Sequence, residues 1–417
     1  MNSDDYSLGD FIVYNDPDIF AKARLFQEYS EDYIQKEYYT YFRPILGHCG
    51  PRVKIFDRYT NGEREMLMMA SNNYLGLSHR PEVVEAGKKA LEKYGSSLGG
   101  SPLLCGYSDL HHELEQQLAA FKHAEDALIF PSGFSTNLGT ISALLRKDDV
   151  ILSDRLDHAS IIDGCLFSRA IFRSFGHNDL EKLEKLLQKY QDSGNGRLVI
   201  VEGIYSMDGD LSHLDQIKAL TDKYKARLMV DEAHATGVLG KTGAGSIEHF
   251  GLEGQIDLVI GTFSKTFGAM GGFVCASQEV INYIRFYARA YLFSASLSPV
   301  IVATVLKSLE ILRAEPNLRE KLWQNIHYMK NNLIRLGYNI GESESAIIPI
   351  MVGKDMTLRK MAAELHAKGL FINSVFYPAV PQDSARIRMS LMADHSQADM
   401  DEALDILEQT GKKFGII

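Results

Sequence analysis

A lysine that ends a buried strand among small hydroxyl residues is placed to form a Schiff base with an aldehyde cofactor. Lys265 has that setting, in Gly261-Thr262-Phe263-Ser264-Lys265-Thr266 after the apolar run Leu258-Val259-Ile260. Alone, a lysine of this kind is more often a solvated loop residue, so its companions decide. Asp231 closes the run Arg227-Leu228-Met229-Val230 and can stay ionised against a protonated pyridine nitrogen; as a plain helix cap it would only precede Glu232-Ala233-His234. His234 can reach a phenolic oxygen, and His158, in Asp157-His158-Ala159-Ser160, can lie flat on an aromatic ring. Pro131 to Asn137 precede a helical stretch expected over Leu138 to Leu145, so their backbone N–H groups can cradle a phosphate, with Thr262 and Ser264 adding hydroxyls. An amine for an aldehyde, an acid for a ring nitrogen, a stacking imidazole and a phosphate cradle together describe a site for pyridoxal phosphate.

These residues need strands that end side by side. Apolar runs at Ala127-Phe130, Val150-Leu152, Leu198-Glu202, Arg227-Asp231, Leu258-Gly261 and Phe273-Ala276 alternate with helical spacing over Leu180 to Tyr190 and Leu214 to Tyr224. The alternation predicts an α/β domain with a mostly parallel sheet covered on both faces, whose ligands gather at the carboxyl ends of the strands. Glu202 and Ser206, Asp231 and His234, and Thr262 and Lys265 follow three such ends. Residues 1–60 read as a mostly helical, tyrosine-rich lead-in, 61–300 as the large domain, and 301–417 as a small α+β domain with strands at Ile347-Val352, Leu370-Asn373 and Ile387-Leu391.

Composition narrows the partners. The chain has 417 residues, 44 basic and 54 acidic, for a net charge of −10, which argues against a nucleic-acid surface and for a small-molecule substrate. Cys49, Cys105, Cys165 and Cys275 are scattered without a CxxC pair, so neither a zinc ribbon nor a disulfide framework is expected, and a reducing cytoplasm fits. No apolar run approaches the roughly 20 residues of a membrane span, and any membrane contact is expected to be peripheral.

Three patterns invite other readings. Asp231-Glu232-Ala233-His234 spells a helicase signature, and Gly240-Lys241-Thr242 resembles the end of a phosphate-binding loop. Such a loop needs its own strand and a following helix, and opens on glycine, whereas this segment opens on Ala235. Asp208-Gly209-Asp210 lacks the later ligands of a calcium loop, and His111-His112 has no metal-like companions, so no metal is expected.

With these residues placed, the chain resembles the α-oxoamine synthases, fold type I pyridoxal phosphate enzymes. This family includes serine palmitoyltransferases, 8-amino-7-oxononanoate synthases, 2-amino-3-ketobutyrate CoA ligases and 5-aminolevulinate synthases. The likeness runs from about Tyr39 to Leu407. It rests on Tyr41-Phe42-Arg43-Pro44, Ser71-Asn72-Asn73-Tyr74-Leu75-Gly76-Leu77, Asp157-His158-Ala159-Ser160, Glu202 to Asp210, Asp231-Glu232-Ala233-His234 and Gly261 to Lys265. Within the family the chain resembles the bacterial serine palmitoyltransferases, through stretches such as His158 to Gly164, Gly251 to Asp257 and Tyr377-Pro378-Ala379-Val380-Pro381 followed by Arg386-Ile387-Arg388.

The resemblance implies a role for each matching residue. Lys265 forms the Schiff base and removes the α-proton, Asp231 pairs with the ring nitrogen, and His234 with Ser206 holds the phenolic side. Gly133, Phe134, Thr262 and Ser264 contact the cofactor, His158 stacks on the ring and orients the substrate, Arg388 grips the substrate carboxylate, and Arg43 and Asn73 line the acyl side. It also implies a homodimer with active sites at the interface, where Phe293-Ser294-Ala295-Ser296 reaches the partner's cofactor phosphate. The implied reaction is a decarboxylative condensation of an α-amino acid, L-serine first, with a long-chain acyl thioester. Alanine or glycine is the alternative amino acid. Two departures bear on the donor: Gly100-Ser101-Pro102 stands where relatives carry Gly-Ser-Arg or Gly-Thr-Arg, and Phe376 where arginine is expected. An unusual acyl chain length, or a carrier-protein thioester instead of free CoA, stays open.

Overall fold

Burial on both faces is what a central parallel strand needs, and the apolar runs supply it. The computed structural model describes residues 1–192 and 194–417. Its strands are β1 (Arg52–Asp57), β2 (Gly62–Met68), β3 (Asp126–Phe130), β4 (Val150–Asp154), β5 (Ile171–Phe175), β6 (Arg197–Glu202), β7 (Arg227–Asp231), β8 (Leu258–Thr262), β9 (Gly272–Ala276), β10 (Ile347–Gly353), β11 (Leu370–Phe371), β12 (Asn373–Val375) and β13 (Ala385–Ser390).

The chain forms two compact units, one of Asn72–Ser206 and Asp210–Glu320, the other of Met1–Ser71, Met207–Gly209 and Lys321–Ile417. These bounds differ from divisions at 60 and 300. The helix Pro299–Ala314 packs against the helix Pro81–Tyr94, with Val300 and Thr304 against Gly87, and so stays with the first unit.

That first unit holds a seven-stranded sheet in the order β3-β9-β8-β7-β6-β4-β5. It is the α/β fold expected of a fold type I enzyme. β5, β4, β6, β7 and β8 pair in parallel, while β9 runs against both its neighbours. Leu128, Ile200, Met229, Ile260 and Val274 form a core with Ile141 and Ile161 from two covering helices. Gly261 is required inside β8, because a Cβ there would lie 2.2 Å from the ring of Phe273. The seventh strand, β5, was not among the predicted runs; it is an edge strand whose Arg173 and Ser174 are exposed.

The helix expected from Leu138 begins at Gly133 instead. Ser132 caps it by accepting from the N–H of Ser135 at 3.0 Å, so a run of Gly, Ser, Thr and Asn with low helix propensity still folds into the first turns.

In the other unit, the lead-in does supply helices at Leu8–Val13 and Ala21–Gln35, but it ends in a strand. β1 and β2 form a hairpin across the four-residue loop 58–61, with Asn61 at φ 50° and Asp57 paired with Gly62, and β11 extends it in parallel. β10, β13 and β12 form an antiparallel sheet. Phe11, Tyr29 and Tyr33 pack together, and the buried Arg359 guanidinium lies 5.2 Å from the Tyr33 ring centroid and donates to the carbonyls of Ser3 and Tyr6, both at 2.7 Å. Among the described residues no helix is long and apolar enough to cross a membrane.

Candidate active site

The carboxyl ends of β6, β7 and β8 open onto a cavity of about 240 Å³. Asp231, His234, Thr262, Ser264 and Lys265 line it, joined by Gly133 and Phe134 from the first turn of the helix Gly133–Leu144 and by His158 from the turn after β4. A larger cavity, about 490 Å³, lies at the other ends of these strands, near Arg197, Arg227 and Leu258; none of the predicted site residues lines it. Size is therefore a poor guide here, and the cluster of chemically capable groups is the better one.

The floor of the site is a buried polar chain. The Asp231 carboxylate, 5% exposed, accepts from Asn137 Nδ2 at 2.8 Å and from the Ala233 N–H at 2.9 Å. Asn137 Nδ2 also donates to Ser160 Oγ at 3.0 Å, and Ser160 Oγ lies 2.7 Å from His158 Nδ1. Because that same Nδ1 accepts the Ser160 N–H at 3.2 Å, the imidazole proton is assigned to Nε2. Burial outweighs the nearby Asp231 charge and holds the His158 pKa below its ordinary value, so the ring is neutral. On the far side of the pocket, His234 Nδ1 sits 2.7 Å from the hydroxyl of the fully buried Tyr74.

The rim offers an anion cradle. Ser132 consumes the N–H of Ser135, which leaves those of Gly133 and Phe134 without a partner among the described residues at a helix N-terminus. Thr262 and Ser264 hydroxyls lie 2.9 Å from each other beside it. Two glycines allow this closeness: a Cβ on Gly133 would meet Thr262 Oγ1 at 2.9 Å, and one on Gly272 would meet Gly133 Cα at 2.8 Å.

Four predicted residues stand apart from this lining. Ser206 is buried on the turn after β6. Asn73 donates to Ser78 Oγ at 2.8 Å. Arg43 and Arg388 belong to the other unit: Arg43 lies 3.3 Å over the ring of Phe371, and Arg388, on β13, donates to Ser390 Oγ at 3.2 Å. Phe376, one of the two departures, is buried in the aromatic cluster 6.0 Å from the Arg359 guanidinium. Pro102, the other, belongs to an exposed-rimmed turn closed by N–H groups of Leu104, Cys105 and Gly106 on the Ser101 carbonyl. Conversely, Asn137, Ser160 and Tyr74 lay inside quoted motifs without being assigned any role, and only their contacts reveal one.

The helicase-like signature resolves into structure. Glu232 is fully buried and accepts from the Ser246 and Ile247 N–H groups, both at 2.9 Å, while Glu248 accepts from the Thr242 N–H at 2.8 Å. Only the four-residue helix Ser246–His249 follows Gly240-Lys241-Thr242. Asp208 pairs with Arg386, and Asp210 with His177.

Comparison with known proteins shows what the chain is similar to. The family model for aminotransferase class I and II matches residues 64–407. The chain is 40% identical over 413 residues to 4-hydroxy-2,2'-bipyrrole-5-methanol synthase PigH of a Serratia species, covering 99% of this chain and 63% of that protein, so it spans less than two thirds of that relative. It is 42% identical over 386 residues to the serine palmitoyltransferase of Sphingobacterium spiritivorum, covering 93% of this chain and 95% of that one. It is 40% identical over 368 residues to an 8-amino-7-oxononanoate synthase of Bacillus velezensis, covering 88% and 92%. The solved serine palmitoyltransferase of Sphingomonas wittichii superposes with a TM-score of 0.91 at 34% identity, over 96% of this chain and 100% of that one.

Proposed function

Because the chain belongs to the aminotransferase class I and II family and, within it, to the pyridoxal phosphate-dependent α-oxoamine synthases, we propose that it condenses L-serine with a long-chain acyl thioester, releasing carbon dioxide and a thiol and leaving an α-amino ketone. The observation that supports the choice of donor and amino acid is the reach of the likeness: serine palmitoyltransferase structures are matched over 96% of the chain.

The residues present fit the cofactor. A glycine-opened helix N-terminus with two hydroxyls suits its phosphate, a doubly hydrogen-bonded buried carboxylate suits its ring nitrogen, and a lysine lines the same cavity. Bound there, pyridoxal phosphate supplies an electron-poor ring that takes up the electron pair released at the amino acid's α-carbon.

In this reading Lys265 Nζ holds the cofactor and then moves the α-proton. Asp231 keeps the proton on the ring nitrogen, and Asn137 keeps Asp231 in place. His158, neutral and fixed through Ser160, would pack against the cofactor ring and orient the amino acid. His234 and Ser206 serve the phenolic side. Gly133, Phe134, Thr262 and Ser264 serve the phosphate. Arg43, Asn73 and Arg388 are proposed as substrate residues on the strength of their motifs alone. A homodimer is part of the same proposal.

A second reading has its own support: 8-amino-7-oxononanoate synthases are as similar in sequence, which favours alanine or glycine as an alternative amino acid. Pro102 and Phe376, uncharged where the family resemblance leads one to expect arginine, leave room for an unusual acyl chain length or a carrier-protein donor in place of free CoA. One experiment separates these. Purified holoenzyme is given serine, alanine or glycine with acyl-CoA or acyl carrier protein thioesters of increasing length, and thiol release, carbon dioxide and product mass are followed. Long-chain product from serine supports the proposal, alanine-only turnover transfers it to the second reading, and no product with any pair contradicts both.

A further inference from the structure

We propose that Glu202 works as a neutral carboxylic acid in the candidate site, holding the turn that carries His158 while leaving the negative charge to Asp231. Glu202 ends β6 and is paired in register with Asp231 at the end of β7. Both are buried, at 3% and 5% exposure, and both line the same cavity. Neighbouring strands lie about 4.8 Å apart, so two carboxylates placed this way cannot both ionise cheaply in a dry interior.

Hydrogen bonding decides which one keeps the proton. Asp231 receives two donors, from Asn137 and the Ala233 N–H. The His158 backbone N–H favours a charged Glu202, but Glu202 Oε1 has no hydrogen-bond partner among the described residues. An oxygen without a donor is a poor place for charge and a good place for a proton. The other groups facing Glu202 are Lys265, which favours its ionised form, Asp154 at the end of β4, which opposes it, and Asp157 and Tyr205, which sense its charge in turn. Burial, and then the Asp231 charge, push its pKa up to about 8.

A neutral Glu202 stands beside the His158 backbone N–H, on the turn that carries the imidazole. It also spares Asp231 a competing anion for any positive charge in the pocket. Glu202 is thus a positioning residue for His158. The inference concerns the chain's own protonation and stands whichever amino acid or thioester is used.

The test compares the full chain with Glu202→Gln, whose amide mimics the neutral acid, in thermal unfolding with and without pyridoxal phosphate. A carboxyl whose pKa is raised on folding makes the native state bind a proton that the unfolded chain releases. Wild-type stability should therefore fall as pH rises from about 4.5 to about 8, and the variant should escape that fall. Its melting temperature should climb steadily relative to wild type across this window, and at pH 7 its cofactor Kd should stay within about threefold of wild type. A difference in melting temperature that is flat with pH overturns the proposal, as does a cofactor Kd raised about tenfold or more at pH 7, or a variant that fails to fold. Asp231→Asn provides an independent check in the cofactor-free chain. It should move the break in the stability profile to lower pH, and an unmoved break also counts against the proposal.

Discussion

Asn137 Nδ2 and Asp231 Oδ2 lie 2.8 Å apart, which ties the first turns of the helix Gly133–Leu144 to the end of β7 across 94 residues of sequence. In the proposed site this bond would join the phosphate end to the ring-nitrogen end. Asn137→Leu removes a donor from a buried carboxylate and should cost about 1–3 kcal/mol of stability. It should also raise the Kd for pyridoxal phosphate about tenfold or more, measured by cofactor titration of the apoenzyme. Asn137→Ser, which keeps a small donor, should recover part of the loss.

Tyr74 and His234 form a second such pair, hydroxyl to Nδ1 at 2.7 Å. Tyr74→Phe keeps the ring and the packing and removes only the partner of the imidazole. Cofactor binding should stay near wild type while kcat falls roughly tenfold, as expected when a positioning bond is lost. Steady-state kinetics alongside cofactor titration separates this from a loss of folding.

His177 sits between Asp154 at 3.2 Å and Asp210 at 2.7 Å. Burial opposes its charge, but the two carboxylates outweigh it and push the pKa up to about 10. A raised pKa of this sign stabilises the fold fully below the unfolded value of 6.5 and loses that contribution as pH rises through about 10. The stability difference between wild type and His177→Gln should therefore be largest at acid-to-neutral pH and shrink toward pH 10. At roughly 1.4 kcal/mol per unit, it is bounded at about 5 kcal/mol. Urea unfolding at a series of pH values measures it.

Arg359 holds the N-terminal segment through the Ser3 and Tyr6 carbonyls and lies beside the Tyr29 and Tyr33 rings. Arg359→Met keeps the apolar stem and deletes both bonds. The expected cost is about 2–4 kcal/mol, and limited proteolysis should cut within the first 20 or so residues faster than in wild type.

How far the sequence discloses this site depends on how local the cause is. β6, β7 and β8 show as apolar runs ending in Glu202, Asp231 and Gly261, the last one residue short of the strand's end, because strands covered on both faces must be apolar throughout. β5 escapes that pattern because an edge strand tolerates Arg173 and Ser174 facing outward. The β1–β2 hairpin turns through the loop 58–61, ending on Asn61 before Gly62, but the aromatic, charged segment before it suggested helix through residue 60. The start of the helix at Gly133 was hidden because capping by Ser132 outweighs the weak propensities that follow. Asn137, Tyr74 and Glu202 acquire roles only through partners on distant elements, which no local period encodes.

The account turns on Lys265 as the residue that carries the cofactor. Reducing the holoenzyme with borohydride and mapping its peptides by mass spectrometry reads this directly. A pyridoxyl group on the peptide containing Lys265, absent from Lys265→Ala, is the predicted result. The label on another lysine, or on none, would contradict it.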